Sequence, residues 1–292
     1  MLISVLTPSL NQGRFLNACL QSVEQQRYPH VEHIVCDGGS VDETHNILAA
    51  SSSNVRWISE PDSGQAEAVN KALRMSNGEV IAWINSDDLL FSSDTLERVA
   101  RCFTASPSTD VVIGDGAIAD QDGLILRHHV ARWPVLPRLR SGSSPVVQPA
   151  MFIRRAAIHD LGYFLEESLT TTLDFDLVIR LALAEASVAH AGATLAVDRN
   201  QPDRKMTLLR DVYASEIEQL AAKYRLVFEE TSLDKIYAWA RRMQGLPEVL
   251  MWTRRYALVG DLNCDSTMRR VARQVCWSHE RLLAANARGL PL

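Results

Sequence analysis

The chain has 292 residues, 47% of them hydrophobic, enough to bury a full α/β core with a smaller unit attached. Its net charge of -5 is unevenly spread: from Arg204 onward 15 Lys plus Arg stand against 10 Asp plus Glu, leaving 15 against 25 before that point. The acidic front excludes nucleic acid as a main partner, the lack of roughly 20 uninterrupted apolar residues excludes a membrane-spanning helix, and scattered Cys19, Cys36, Cys102, Cys264 and Cys276 exclude a disulfide framework or zinc site. With no leader pattern at the start, a cytosolic chain with reduced thiols is expected.

The first strand is read over Ile3–Leu6, ending at Thr7-Pro8, and Phe15, Leu16, Cys19, Leu20 and Val23 then recur at helical spacing. A second strand, His33–Cys36, ends at Asp37-Gly38-Gly39-Ser40, with Asp42 as N-cap of a helix carrying Ile47 and Leu48. The third unit has a strand over Val55–Ile58, a loop over Glu60–Gly64 and a helix through Ala66, Val69, Ala72 and Leu73. The run Glu79–Ile84 then stops at Asn85-Ser86-Asp87-Asp88. Repeated strand, loop and helix predict βαβ units of a largely parallel sheet.

Gly114 to Arg154 reads as irregular strands and loops, broken at Trp133-Pro134, Leu136-Pro137 and Ser141–Pro145, where an acceptor lid could sit. Arg154 and Arg155 read as a solvated pair, and His128 and His129, on opposite faces of a strand, as structural. After Leu208 the pattern is helical, first with Val212, Ile217, Leu220, Ala221 and Tyr224, then with Ile236, Tyr237 and Trp239 beside Arg241-Arg242. Trp252 beside Arg254-Arg255 and Met268 beside Arg269-Arg270 continue it. Such a basic tail fits either a cap packed on the front domain or a peripheral contact with an anionic membrane.

In an open α/β sheet, polar residues at successive strand ends converge on one crevice. Here these are Thr7, Asn11, Asp37, Asp62, Asp87 and Asp88. With no glycine-rich phosphate loop, a divalent cation on these carboxylates is the group expected to neutralise substrate phosphates.

The order and spacing of five segments resemble the inverting glycosyltransferases of family 2. These are Val5–Asn11, Cys36–Thr44, Ser59–Gln65 continuing through Asn70-Lys71, Asn85-Ser86-Asp87, and Leu173–Leu177 continuing through Arg180. The resemblance covers about residues 1–207. It implies a GT-A-like, Rossmann-type, mostly parallel central sheet flanked by helices as the catalytic domain over 1–207, with a helical C-terminal extension over 208–292. It implies a nucleotide-diphospho-sugar donor, UDP favoured, contacted by Thr7, Pro8, Ser9, Asn11, Asp37 (the nucleobase reader), Asp62, Gln65, Asn70, Lys71, Ser86 and Asp88. It also implies a Mn²⁺ or Mg²⁺ ion on Asp87, Asp174 as catalytic base, and a saccharide or lipid-linked acceptor of polysaccharide or glycolipid assembly.

The sequence departs from the family pattern at three positions: Asn85 stands for the leading Asp of the metal motif, Leu173 for a Glu before the base, and Gly38 for the second Asp of the nucleobase signature. Structural readings compete at several positions: a turn at Asp37, helix capping at Asp87, Asp88 and Asp174, and a capping pair of Asp62 with Gln65. Two other functions stay open at this point, a sugar-1-phosphate nucleotidyltransferase and a catalytically silent nucleotide-sugar-binding module.

Overall fold

The computed structural model describes residues 1–133, 146–201 and 204–226; the basic tail around Ile236, Trp252 and Met268 and the breakers at 134–145 lie outside the described residues. Its chain begins with three repeated units. Strand β1 (Ile3–Ser9) is buried along its whole length, and helix α1 (Gly13–Glu24) returns over it with Phe15, Leu16, Cys19, Leu20 and Val23 turned inward. Next come β2 (Val31–Asp37), α2 (Thr44–Ala49), β3 (Val55–Ser59), α3 (Gln65–Met75) and β4 (Val80–Trp83). The N-cap of α2 is Glu43, not Asp42; Asp42 lies one residue earlier and accepts hydrogen bonds from the Thr44 and Gly13 backbone N–H groups, tying the start of α2 to that of α1. The expected Asp62–Gln65 capping pair does not form; the Ser63 N–H and hydroxyl donate to Glu67 instead, and Gln65 turns toward Asn85.

β2 and β4 flank β1 on opposite sides, both parallel to it, with β3 outside β2. The chain therefore reverses its direction of travel across the sheet at β1. That is the topological switch point, where strand ends open a crevice for ligands.

The second half is antiparallel to the first where the two meet. A two-residue strand β5 (Leu89–Leu90), helix α4 (Thr95–Ala105), β6 (Val111–Asp120) and β7 (Ile125–His129) precede β8 (Met151–Arg154), which pairs antiparallel with both β4 and β6. The chain continues through α5 (Arg155–Asp160), α6 (Leu173–Leu183), β9 (Val188–Asn200), a short α7 (Lys205–Leu208) and α8 (Arg210–Tyr224). The strand order is β3-β2-β1-β4-β8-β6-β9-β5, with β7 on β6. The result is one mixed sheet with helices on its faces: the front is parallel as expected, and antiparallel pairs enter from β8 onward.

Three expectations are corrected here. Residues 114–120, read within irregular strands and loops, belong to one ten-residue strand beside β9, whose register shifts around Asp115. Glycine hid this: a Cβ at Gly114 would meet Leu195 Cγ at 2.3 Å and one at Gly116 would meet Val147 Cγ2 at 2.6 Å, so close packing requires residues of low strand propensity. Leu89-Leu90 is a strand paired with Ala196 and Val197, not a helix start, so Asp87 and Asp88 are not N-caps. Arg154 and Arg155 are not a solvated pair. Arg154 lies over the Phe103 ring and donates to the Thr109 carbonyl, while Arg155 donates to the Gly78 carbonyl and the Ser76 hydroxyl. Cys19, Cys36 and Cys102 are free; burial pushes the first two thiols up to about 12 and about 11, leaving them inert.

Candidate active site

Around the ends of β1 and β2 the loops are locked together by their own polar groups. Ser9 and Asp37 are register partners, and the Gly38 N–H donates to the Ser9 carbonyl at 2.8 Å. The Asp37 carboxylate, 2% exposed, accepts from the Ser40 N–H at 2.9 Å, the Ser40 hydroxyl at 2.5 Å and the Ser59 hydroxyl at 2.7 Å. The turn reading of this residue is thus seen directly. Asn11, at φ 52°, receives the Val41 N–H on its side chain and donates its own N–H to Ser40. The buried Ser9 hydroxyl has no partner, and the Ser86 hydroxyl donates to the Pro8 carbonyl at 2.9 Å, joining β1 to the β4 loop. Thr7 is fully buried against His33, whose imidazole burial holds down at about 4, so this pair belongs to the strand interior.

Asp62 fills the space left by Gly38. A Cβ at residue 38 would stand 2.7 Å from Asp62 Oδ2, so the missing second acid of the signature leaves room for a carboxylate from the next loop. Burial raises the Asp62 pKa, with the charges of Glu67 and Asp37 adding to it. Asn70 and Lys71 are engaged inside the protein: Asn70 clasps the Leu165 backbone and Glu167, and Lys71 pairs with Glu60 at 2.7 Å and Glu67 at 3.7 Å.

Asn85 is a hub. Its carbonyl oxygen accepts from Gln65 Nε2 at 2.7 Å and Trp83 Nε1 at 2.8 Å, while its amide nitrogen donates to Asp88 Oδ2 and Gln148 Oε1, both at 3.1 Å. An amide supplies both acceptor and donor faces, whereas an ionised Asp would have no donor for either oxygen. Asp88 is 3% exposed and also accepts the Arg199 N–H at 3.1 Å. Half-buried Asp87 accepts from Gln201 Nε2 at 2.7 Å, and Arg199 Nε donates to the Asp87 carbonyl at 2.9 Å.

Asp174 lies in the first turn of α6, where the helix dipole favours an acid. Burial raises the pKa of Asp87, Asp88 and Asp174, and the charge of Asp198 raises all three further, while the Arg204 guanidinium opposes it in each case. Arg204 itself pairs with Asp198 at 2.7 Å. These four carboxylates and one cation therefore share a single electrostatic neighbourhood. Lys205 links it to the loop of Asp62, donating to Gln65 Oε1 at 3.0 Å within electrostatic reach of Asp62.

Asp198, Gln201, Arg204 and Lys205 were missed in the sequence. Their signal was there: a polar run directly after the apolar Leu195-Ala196-Val197 marks another strand end. Asp176 and Arg180, quoted with the base motif, face inward; they pair at 2.7 Å while Arg180 also holds the Tyr163 and Phe164 carbonyls. Surface clefts of about 180 and 510 Å³ lie along α1 and the β3 entrance and contain none of the site carboxylates.

Among the described residues, no three His, Cys, Asp or Glu side chains converge closely enough to hold an ion by themselves. The donor set still fits a hard cation, because such ions are commonly shared between one or two carboxylates and substrate phosphates. Crowding of partly buried acids around Asp87 also supplies the negative field an ion would relieve.

A topological switch point with carboxylates at the strand ends, and an acid in the first turn of α6 within the same electrostatic neighbourhood, fits the GT-A glycosyltransferase fold. The chain belongs to Glycosyl transferase family 2, whose sequence profile matches residues 4–162. It is 29% identical over 185 residues to the chondroitin synthase of Escherichia coli, covering 62% of this chain and 26% of that protein. To the PGL/p-HBAD biosynthesis glycosyltransferase of Mycobacterium tuberculosis it is 30% identical over 151 residues, covering 47% and 59%. The chain thus spans less than two thirds of either relative. Among solved structures, it resembles S. aureus TarS 1-349 in complex with UDP-GlcNAc (TM-score 0.62, 22% identity, 79% of this chain and 68% of that one). It also resembles the mannosyltransferase PcManGT of Pyrobaculum calidifontis in complex with GDP-Man and Mn²⁺ (TM-score 0.56, 20% identity, 99% and 86%). These two likenesses establish the fold. No helix among the described residues is long and apolar enough to cross a membrane.

Proposed function

We propose that the chain transfers a sugar, with inversion, from a nucleoside diphosphate donor, UDP favoured, to an acceptor hydroxyl. One observation carries the reading: Asp87 and Asp174, far apart in sequence, share the field of Asp198 and Arg204 beside the loops that hold Asp37 and Asp62. Asp37, with Asp62 over Gly38, reads the nucleobase; Ser9, Asn11 and Ser86 shape the nucleotide loop. Thr7, Asn70, Lys71 and Asp88 serve the site by holding strands and loops in register. Arg204 and Lys205 face the diphosphate.

Asp174 takes the proton from the attacking hydroxyl, and its raised pKa, caused by burial, makes it a stronger proton acceptor than an ordinary carboxylate. Asp87 would hold a Mn²⁺ or Mg²⁺ ion, which when bound supplies Lewis-acid stabilisation of the departing diphosphate. Attack and departure occur on opposite faces of the anomeric carbon without an enzyme nucleophile, so the configuration inverts. The relatives' names, chondroitin synthase and PGL/p-HBAD biosynthesis glycosyltransferase, support a saccharide or lipid-linked acceptor in polysaccharide or glycolipid assembly. Such work belongs on the cytoplasmic side, with the basic tail at the membrane surface where the acceptor is lipid-linked.

A thermal-shift panel of UDP, GDP and dTDP, each with and without Mn²⁺, tests the donor assignment, since a ligand bound only by the folded state raises apparent stability. UDP with Mn²⁺ should give the largest rise. Equal shifts with and without the ion would remove the role given to Asp87.

A further inference from the structure

Helix α8 lies beyond the matched family profile, yet its side chains grip α6 on both sides of Asp174. Glu216, 5% exposed, receives the backbone N–H groups of Thr170 at 2.6 Å, Thr171 at 2.9 Å and Thr172 at 3.0 Å. The hydroxyls of Thr171 and Thr172 add bonds of 2.6 and 3.0 Å to the same carboxylate. Thr172 is the N-cap of α6, and none of its own side-chain atoms caps the helix. A carboxylate from another helix therefore satisfies the donors leading into the first turn, where an anion is electrostatically favoured. Burial alone would push the Glu216 pKa up, but the hydrogen bonds from Thr171, Thr170 and Thr172 prevail and hold it down, so the group is ionised.

On the far side of Asp174, the Tyr224 hydroxyl donates to Asp176 Oδ1 at 2.6 Å and Lys223 Nζ lies 3.5 Å from the same oxygen. Tyr213, one turn before Glu216, lies within electrostatic reach of Asp174 itself. Residues 170–172 and 176 are thus held from one helix, and Asp174 lies between the two grips.

We propose that α8 is a positioning element for the transfer site and that Glu216 is the positioning residue through which it fixes Asp174. The inference rests on Asp174 being the proton acceptor. Proton transfer from a bound hydroxyl demands the carboxylate at hydrogen-bond distance, and about 1 Å of misplacement costs on the order of 10²-fold in rate. Glu216 makes no hydrogen bond to the nucleotide loops or to the carboxylates around Asp87, and reaches the donor side only through its charge on Lys205, so its loss is expected to fall mainly on turnover.

The test compares Glu216→Gln, Glu216→Ala and Asp174→Asn in the full chain. Nucleotide release is followed with whichever of UDP-glucose, UDP-galactose, UDP-GlcNAc, UDP-glucuronate or GDP-mannose the wild-type chain turns over fastest. UDP stoichiometry is measured by calorimetry with Mn²⁺ present, and kcat is expressed per UDP-binding molecule so that unfolded protein does not count. Both Glu216 variants are expected to lose roughly 10- to 100-fold in kcat with donor KM within about twofold of wild type. The Gln form retains the side-chain frame if the Ala form fails to fold. Wild-type kcat in Glu216→Gln, or a loss that appears in KM instead, would overturn the positioning role. Full turnover in Asp174→Asn would instead overturn the assignment of the base, whatever Glu216 does.

Discussion

The two halves of the sheet are built differently. In the parallel half, β3-β2-β1-β4, each strand leads into the loop it serves, and the groups that fix Asp37 come chiefly from Ser40, three residues on. In the half made by β8, β6, β9 and β5, the partners are distant: Asp87 meets Gln201, Asp88 meets Arg199, and Asp174 feels the charge of Asp198. The Asp37 loop is therefore fixed chiefly by its own sequence neighbours, whereas the surroundings of Asp87, Asp88 and Asp174 are assembled by tertiary contacts. Damage to the second region should reach further.

The largest effect is expected at Asp174. Replacing it with Asn keeps size and removes the proton acceptor, so turnover should fall about 10²- to 10⁴-fold while UDP affinity stays the same. Retained nucleotide binding with lost turnover would separate the two halves functionally; retained turnover would make the chain a different catalyst or leave Asp174 structural. Next comes Asn85→Asp, which restores the family's usual acid at the junction of the halves. It would set a carboxylate oxygen against Asp88 Oδ2 and Gln148 Oε1 where an amide now donates to both. Unsatisfied buried groups cost about 1–3 kcal/mol each, so this variant should melt several degrees lower. Unchanged melting would mean that the hub is not what joins β4 to the second region.

This division also decides what was legible in the sequence. The first four strands, their helices and the acids at their ends could be read because each βαβ unit carries its periodicity and its loop in one stretch. β6 could not, since Gly114 and Gly116 dilute the strand pattern for the sake of packing against Leu195 and Val147. Arg204 and Lys205 were hidden for another reason: their meaning comes from β9 delivering them to carboxylates more than a hundred residues earlier. Glu216 was hidden for the same reason, because its threonine partners lie in the segment leading into a different helix.

A smaller effect, opposite in sign, is expected at Asp87. Its folded-state pKa is raised by burial, with Asp198 adding, so the native state binds this proton more readily than the unfolded chain does. Stability from this group is then fullest below the ordinary carboxylate value and declines as pH rises through the raised one. Asp87→Asn removes that penalty and keeps an oxygen to accept from Gln201. Each tenfold difference in proton affinity between folded and unfolded chain is worth about 1.4 kcal/mol at pH 7. Without divalent ion the variant should therefore raise Tm by a few degrees at that pH and change nothing at pH 3, while turnover falls. A gain of the same size at both pH values would show that the charge is not the cause.

The smallest change should follow Ser59→Ala. Ser59 comes from the neighbouring strand β3 and supplies one of the three hydrogen bonds to Asp37, the other two coming from Ser40. Deleting a single hydroxyl bond costs about 0.5–1.5 kcal/mol, and here the carboxylate keeps two donors and its place at the end of β2. UDP affinity, measured by calorimetry, should therefore drop by less than about tenfold and turnover at saturating donor should not change. The expectation depends on Asp37 being held by its own loop. If the alanine variant lost UDP binding altogether, the nucleotide side would depend on cross-strand support as heavily as the transfer side does, and the contrast between the two halves would fail at its simplest point.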